Sequence, residues 1–137
     1  IEARNVLESE LAARAAAPQT AEDIRRLQDI LAYDRETLAD PEQLAARDYA
    51  FHLALAEIAG NQFFIALYQA LHRQIKAFLV QYAKSITGRA QALDRHRPIL
   101  QAIQDRDADR ARTLAREHAA ICASCVAQRV EATGEPS

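Results

Sequence analysis

The sequence predicts an all-α fold, an antiparallel bundle of about six helices. Half of the 137 residues are hydrophobic, and only three are glycine and four proline, a composition that favours helices. Apolar residues recur at spacings of three and four along most of the chain, which is typical of helices that bury one face. The connections between these segments are short and favour antiparallel neighbours. We expect a single domain over residues 1–137.

Residues that start or stop helices mark the ends of these segments. Pro18 closes the first helix, because proline disrupts a helix interior. Thr20 is a good N-cap for the second, and the acids Glu22 and Asp23 suit the positive end of its dipole. The six helices are predicted at about residues 1–17, 20–38, 41–60, 61–87, 89–105 and 107–131, followed by a polar tail at 133–137.

The third predicted helix has the clearest signals at both ends. Asp40 is its N-cap and Pro41 occupies the first turn, where proline is favoured. Gln43 is placed to complete a capping box. Gly60 ends the helix, since glycine readily adopts the left-handed conformation that follows a helix. Two further N-caps are expected at Asn61 and Asp107.

The fifth predicted helix, from Arg89 to Asp105, contains Pro98. Proline is tolerated in the first turn of a helix but bends or breaks its interior. We therefore expect this helix either to start late or to kink just after His96.

Charge and hydropathy exclude several classes of function. The net charge is −2, whereas a nucleic-acid surface needs a clustered positive excess. No apolar stretch approaches the roughly 20 residues that cross a bilayer, so no membrane contact is expected. The start of the sequence does not resemble a signal peptide, which predicts a cytoplasmic location. Since the sequence contains no methionine, we expect it to be processed or part of a longer protein.

Four polar side chains occupy helix positions where the pattern calls for apolar ones. Asp48 and His52 lie one turn apart on one face of the third helix, and His96 and His118 lie on apolar faces of two later helices. Burying a carboxylate and three imidazoles is unfavourable unless something compensates them. A divalent cation would do so, because zinc and its neighbours accept mixed N/O ligands. The alternative is that the histidines are ordinary core or interface residues and Asp48 a surface acid.

Other residues could carry chemistry and have simpler interpretations. Cys122 and Cys125 form a Cys-x-x-Cys that with His118 could bind a soft metal, but inside a helix they are better explained as small buried side chains. His72 lies beside the apolar face of the fourth helix, where packing is the simpler role. Arg4 shares a face with apolar residues. Its guanidinium either extends to water or turns inward to hold a carboxylate.

Three stretches of the sequence form a combined pattern. They are Glu2-x-Arg4-x-x-Leu7-Glu8, then Asp48-x-x-Phe51-His52 with Gly60-Asn61, and finally His96-Arg97-x-Ile99-Leu100-x-Ala102-Ile103-x-x-x-Asp107 with His118. The pattern resembles the FadR-type C-terminal domain, or FCD domain, of GntR-family transcription regulators. The resemblance covers nearly the whole chain.

The resemblance implies an all-α bundle that binds a small effector and forms a homodimer. In the metal-binding branch an aspartate and three histidines hold a divalent ion, and the matching positions are Asp48, His52, His96 and His118. An arginine on the first helix often binds the effector, and Arg4 occupies that position. Arg95 departs from the pattern, which commonly has an acid there, and so changes the local charge. The family also carries an N-terminal winged helix-turn-helix that binds DNA, which this sequence lacks.

The expected function is therefore effector sensing for a transcription regulator, without enzyme activity. A divalent metal, zinc first with nickel, manganese or iron as alternatives, would leave the pocket positively charged and favour a small carboxylate such as a hydroxy acid or sugar acid. The alternative from another class is a metal-dependent hydrolase or lyase. That chemistry needs a general base beside the metal, and Glu57 falls off the predicted ligand face. A third interpretation is a dimerisation module with a structural metal.

Overall fold

Helices account for most of the chain. The computed structural model describes residues 2–34 and 36–134, and within them no strand occurs, which confirms the predicted all-α class. The predicted start at Ile1 and the tail at 135–137 lie outside the described residues. The α-helices are α1 (Glu2–Ala15), α2 (Ala21–Leu31), α3 (Pro41–Ala59), α4 (Gln62–Ala70), α5 (His72–Ser85), α6 (Arg89–Asp94), α7 (Arg97–Gln104) and α8 (Ala108–Thr133), with a 3-10 helix at Thr37–Ala39.

The predicted caps are largely confirmed. Thr20 and Asp23 form a reciprocal capping box at α2. Asp40 accepts a hydrogen bond from the Glu42 N–H at 2.9 Å, but no side-chain bond from Gln43 completes the expected box among the described residues. Gly60 ends α3 with φ of +73°, a conformation that favours glycine. Asn61 and Asp107 cap α4 and α8.

The second helix is shorter than predicted. It ends at Leu31, and Ala32 is extended. Arg47 of α3 donates hydrogen bonds to the carbonyl oxygens of Ile30 and Ala32, so a side chain distant in sequence satisfies the end of α2. Leu38, predicted on this helix, reaches the core from the 3-10 helix instead.

The fourth predicted helix is two helices that meet at Leu71. The backbone there has φ of −87° and ψ of 2°. The Leu71 N–H still donates to the Leu67 carbonyl at 3.1 Å, and the Ile75 N–H to the Leu71 carbonyl at 2.9 Å. Two hydrogen bonds of the helical type therefore flank Leu71, although the α-helix is interrupted at this residue.

The fifth predicted helix is also divided, at the place that Pro98 indicates. α6 ends at Asp94, and α7 begins at Arg97 with Pro98 in its first turn, so the late start is the correct alternative. His96 is the N-cap residue of α7, and its backbone N–H donates to the Leu93 carbonyl at 3.0 Å. This junction places the His96 side chain at the interior of the bundle, where it is fully buried.

Helix α3 lies at the centre of the bundle. It packs against α1, α2, α4 and α5, while α1 also packs along α8, and α7 packs on α8. The largest fully buried side chains come from most of these helices and include Leu11, Leu27, Phe51, Leu55, Tyr68, Leu79, Tyr82, Ile99 and Ile103. Across residues 2–34 and 36–134, none of the helices combines the length and the apolar character that a membrane span needs.

Candidate metal centre

The structure brings together all four side chains that the sequence singles out as ligands. Asp48 and His52 come from α3, His96 from the α6–α7 junction and His118 from α8. One ligand atom from each lies within 4.8 Å of the others. All four residues are buried, the most exposed being His118 at 4%. Their assignment as metal ligands stays a prediction.

Asp48 lies at the middle of the cluster. Its Oδ2 atom is 3.3 Å from His96 Nε2 and 3.8 Å from His118 Nε2. Its Oδ1 atom is 3.8 Å from His52 Nε2. The carboxylate therefore faces the Nε2 atoms of three imidazoles, each of which can offer a lone pair when neutral.

Local structure explains how the rings are oriented. Asp48 and His52 are one helical turn apart, which places them on the same face of α3. The His96 Nδ1 atom lies 2.9 Å from the Leu93 carbonyl oxygen, so Nδ1–H donates there and the Nε2 atom faces the cluster. Phe51 packs edge-on against His96 and His52, with ring centroids 4.9 and 5.4 Å away, and forms an apolar wall.

Protonation in the folded protein suits cation binding. Burial lowers the pKa of His52 to about 3 and that of His118 to about 4, so both imidazoles are neutral at neutral pH. Burial alone would raise the pKa of Asp48, but attraction to His96, close polar contacts with His118 and His96, and the Arg4 guanidinium hold it well below its usual range. A metal needs this combination of an ionised carboxylate and unprotonated imidazoles.

Unsatisfied polar atoms provide the test of whether these residues fit a metal ion. Asp48 Oδ2, His52 Nε2 and His96 Nε2 are buried and have no hydrogen-bond partner among the described residues. Native proteins seldom leave such atoms unpaired. A divalent cation accepts electron pairs from all of them at once, so the four residues fit a metal ion.

Arg4 turns inward and not towards water, which settles its orientation. It is 5% exposed. Its Nε donates to Glu8 Oε1 at 2.8 Å, and its Nη2 to Asp48 Oδ1 at 3.4 Å. Burial alone would lower the pKa of Arg4, but the two carboxylates raise it above its ordinary value, so the guanidinium stays charged. The Phe78 ring lies 5.0 Å from its central carbon.

Glu8 is the residue of this site that the sequence reasoning missed. It is fully buried, and its Oε1 accepts hydrogen bonds from Arg4 and, at 2.9 Å, from the Tyr68 hydroxyl. Its Oε2 lies 3.7 Å from His52 Nε2. The signal that could have identified it is its position four residues after Arg4, because residues at this spacing face the same side of a helix.

The remaining candidates lie outside the cluster of four. Cys122 is buried with Sγ 3.7 Å from His118 Nε2, and burial raises the pKa of its thiol to about 12, so it is an unreactive thiol. Cys125 is half-buried, and both cysteines are free. His72 is exposed and contacts the Tyr49 ring. Glu57 forms an ion pair with Arg26 and is not part of the cluster.

Metal-free protein is expected to lose stability as the pH falls below about 6.5. In the unfolded chain a histidine has a pKa near 6.5, whereas burial lowers the folded values for His52 and His118 to about 3 and 4. Between these pH values the unfolded state binds more protons than the folded state, so the free energy of unfolding decreases as the pH is lowered. Each of these two histidines should lower the free energy of unfolding by about 2 kcal/mol when the pH is reduced from 7.5 to 5.

Urea unfolding at these two pH values, with a chelator present, measures this loss. His118→Ala should reduce the loss by about half, while the matched change His72→Ala, at an exposed ring, should leave it unaltered. Equal stability of the wild-type chain at both pH values would contradict the prediction.

A helical bundle with a cluster of ionisable side chains in its core is typical of all-α ligand-binding domains. Comparison with protein families identifies the particular family. The sequence matches the FCD domain over residues 1–120, and the chain belongs to this family, the effector-binding domains of GntR-family transcription regulators.

Curated relatives carry the names of regulators. The chain is 37% identical over 110 residues to the HTH-type transcriptional repressor NanR of Cronobacter sakazakii, covering 79% of this chain and 42% of that protein. It is 34% identical over 123 residues to the Uxu operon regulator of Haemophilus influenzae, covering 86% and 46%. The chain thus spans less than half the length of these relatives. Both names are those of transcription regulators, and neither is the name of a hydrolase or lyase.

Solved structures share the fold. A Streptococcus agalactiae GntR protein superposes with a TM-score of 0.72 at 24% identity, covering 90% of this chain and 56% of that one. The E. coli protein McbR/YncC superposes with a TM-score of 0.75 at 18% identity, covering 93% and 62%. At these identities the likeness establishes the fold alone.

Proposed function

We propose that this chain is the sensing part of a regulator, and that it binds a divalent metal ion together with a small carboxylate effector. The observation that supports this most directly is the convergence of Asp48, His52, His96 and His118, whose ligand atoms lie within 4.8 Å of one another in a buried site. Several of these atoms have no hydrogen-bond partner among the described residues. A bound cation explains why the arrangement is stable.

The proposed ion is zinc, with nickel, manganese or iron as alternatives that accept the same ligand set. When bound, the ion supplies positive charge and coordination positions that an effector oxygen can fill. The protein supplies the shape of the site. The Leu93 carbonyl orients His96, and the Phe51 ring excludes water beside it.

The charge balance favours an anionic effector. Asp48 and Glu8 carry one negative charge each, Arg4 carries one positive charge, and a divalent ion leaves the site near +1. The buried Arg4 Nη1 atom has no partner among the described residues, so it has a hydrogen bond to offer a carboxylate. Since Glu8 already pairs with Arg4, the arginine acts as a directed donor more than as additional free charge.

Arg4 is also the part of the site that faces an approach from outside. A crevice of about 130 Å³ between α1 and α5 reaches it and is lined by Ala3, Arg4, Leu71, Gln74, Ile75 and Phe78. We assign Arg4 as the effector-binding residue.

In the whole protein we expect the domain to form a homodimer and to control an N-terminal DNA-binding domain, so that DNA is contacted only through that domain. Two observations support the additional DNA-binding domain. The relatives are more than twice as long as the part they share with this chain, and one is named as an HTH-type repressor. Effector binding that favours one packing of the bundle would change the spacing of the two DNA-binding domains.

The experiment that tests this function is a thermal-shift series on the 137-residue chain, prepared without an affinity-column metal. Zinc should raise the melting temperature, because metal binding is linked to folding. Lactate, malate or gluconate should raise it further in the zinc-loaded protein. The matched amide lactamide, which carries no charge, should have no effect.

Three outcomes would contradict the proposal. A melting temperature indifferent to zinc would remove the metal site. A response to zinc with no response to any carboxylate would indicate a structural metal in a dimerisation module. Steady turnover of a carboxylic ester or hydroxy acid by the zinc-loaded chain would favour the hydrolase or lyase alternative.

A further inference from the structure

Glu8 has one carboxylate oxygen that the protein does not use. Its Oε1 atom accepts from Arg4 Nε at 2.8 Å and from the Tyr68 hydroxyl at 2.9 Å. Its Oε2 atom is buried and has no hydrogen-bond partner among the described residues. Because the Oε1 bonds hold the carboxylate in place, Oε2 is a fixed acceptor in the interior.

This free acceptor points into the same space as the metal cluster. Glu8 Oε2 lies 3.7 Å from His52 Nε2, which is itself 3.8 Å from Asp48 Oδ1. Glu8 is not among the four residues whose ligand atoms lie mutually within 4.8 Å. It therefore borders the cluster without being part of it.

A free donor accompanies the free acceptor. Arg4 binds Glu8 through Nε and Asp48 through Nη2, and its third nitrogen, Nη1, is buried without a partner in the part of the chain that the structure describes. The Arg4–Glu8 pair thus presents one buried donor and one buried charged acceptor, and the acceptor borders the metal cluster. Leaving either one unpaired is unfavourable.

A ligand that satisfies both atoms must carry an acceptor for Arg4 and a donor for Glu8. A plain carboxylate offers only acceptors and would place a second negative group beside Glu8. A hydroxycarboxylate offers carboxylate oxygens to Arg4 Nη1 and a hydroxyl hydrogen to Glu8 Oε2. The hydrogen bond from a hydroxyl to an ionised carboxylate is a strong one.

We infer that Glu8 is a specificity-determining residue, which accepts a hydrogen bond from a hydroxyl group of the effector and makes the site select hydroxycarboxylates over unsubstituted carboxylates of the same size. The inference rests on the proposed function, since it needs a carboxylate effector. Beyond that function, the inference states that the effector carries a hydroxyl group that donates a hydrogen bond, and that Glu8 is the residue that accepts it.

Paired ligands test this selection by calorimetry on the zinc-loaded chain. The pairs are glycolate with acetate, lactate with propionate, and malate with succinate, which differ in one hydroxyl group. In at least one pair the hydroxy acid should bind about tenfold to a hundredfold more tightly. The analogue 2-fluoropropionate keeps the size of lactate but cannot donate, and it should bind as weakly as propionate.

Glu8→Gln tests the residue itself. The amide keeps the size and one oxygen that can accept from Arg4 and Tyr68, but it removes the charged acceptor. In this variant the hydroxy acid and the unsubstituted acid of a pair should bind with affinities that differ by less than about threefold. The zinc content, measured by elemental analysis, should not change. Glu10→Gln is the matched control, because Glu10 lies on the same helix in partly exposed pairs with Arg14 and Arg112. It should keep the wild-type ratio.

Each other result overturns the inference in a distinguishable way. The inference is wrong if the wild-type chain binds both members of every pair equally, or binds 2-fluoropropionate as tightly as lactate. Either result shows that the site does not select a hydrogen-bond donor, and neither depends on whether Glu8→Gln folds. A preference that survives in Glu8→Gln comes from another group. Loss of zinc in Glu8→Gln makes Glu8 a ligand. If no carboxylate of any pair binds, the proposed function fails and this inference falls with it.

Discussion

Alanine at position 96 or 118 is expected to remove most of the metal affinity. Both imidazoles are buried and face Asp48 Oδ2, at 3.3 Å from His96 and 3.8 Å from His118. Replacing even a residue that only orients a metal-ligating side chain lowers metal affinity tenfold to a hundredfold. Loss of a ligating imidazole itself should therefore lower the affinity by more than about a hundredfold. At a zinc concentration that saturates the wild type, this corresponds to about 3 kcal/mol of lost stabilisation.

The measurement is the rise in melting temperature on zinc addition, together with metal content by elemental analysis. The rise should be roughly 10 °C smaller in either variant than in the wild type. Comparing the rise, and not the absolute melting temperature, removes the cost of the cavity that alanine leaves behind. His72→Ala is the matched control. His72 is the one histidine outside the cluster and is exposed, so its replacement should leave zinc binding unchanged. A full zinc response in His96→Ala or His118→Ala would show that the residue is not a ligand.

The members of the buried cluster could be predicted because a polar residue at an apolar helix position is visible in the sequence alone. His118 stands among small and apolar residues in α8, and Asp48 and His52 interrupt the buried face of α3. Helical periodicity then indicates that each side chain points inward. That they meet at one place depends on how the helices pack, which the resemblance to the FCD domain supplied. Their role as ligands stays a prediction.

Glu8 could not be found in the same way, because its burial depends on distant parts of the chain. Its partner Tyr68 lies 60 positions further on. Read locally, a glutamate four residues after an arginine indicates an ordinary surface ion pair, which is worth little. Packing of α1 against both α3 and α8 encloses the pair. The inward orientation of Arg4 was undecided from the sequence for the same reason.

The differences in helix ends also have tertiary causes. Nothing in the local sequence stops α2 at Leu31, but Arg47 of α3 donates to the carbonyls of Ile30 and Ala32 on either side of that end. The interruption at Leu71 occurs at a residue with ordinary helix propensity, where neither glycine nor proline gives a signal. At Pro98, by contrast, the local rule for proline located the break in the helix, and α7 begins at Arg97, which is the late start of the two expected alternatives.

Replacing Arg4 with alanine is expected to lower stability and to abolish carboxylate binding. The guanidinium lies between two buried carboxylates, Glu8 at 2.8 Å and Asp48 at 3.4 Å. Removing one partner of a buried charged network leaves the others uncompensated, which costs about 3–5 kcal/mol. For a domain of this size the metal-free melting temperature should fall by roughly 10–17 °C. Arg14→Ala, at an exposed pair with Glu10 on the same helix, should change the stability by less than about 1 kcal/mol.

A double variant separates the two roles of Arg4. Arg4→Met with Glu8→Gln removes the positive charge and one buried negative charge together, so it should recover much of the stability that Arg4→Met alone loses. Carboxylate binding should not recover, because no donor replaces Arg4 Nη1. Thermal melts and calorimetry with lactate on the zinc-loaded variants measure both quantities. The reference for binding is Glu8→Gln alone, which lacks the proposed hydroxyl acceptor but keeps Arg4. If the double variant binds lactate as tightly as Glu8→Gln does, Arg4 serves only to neutralise its neighbours, and the effector is held by other groups.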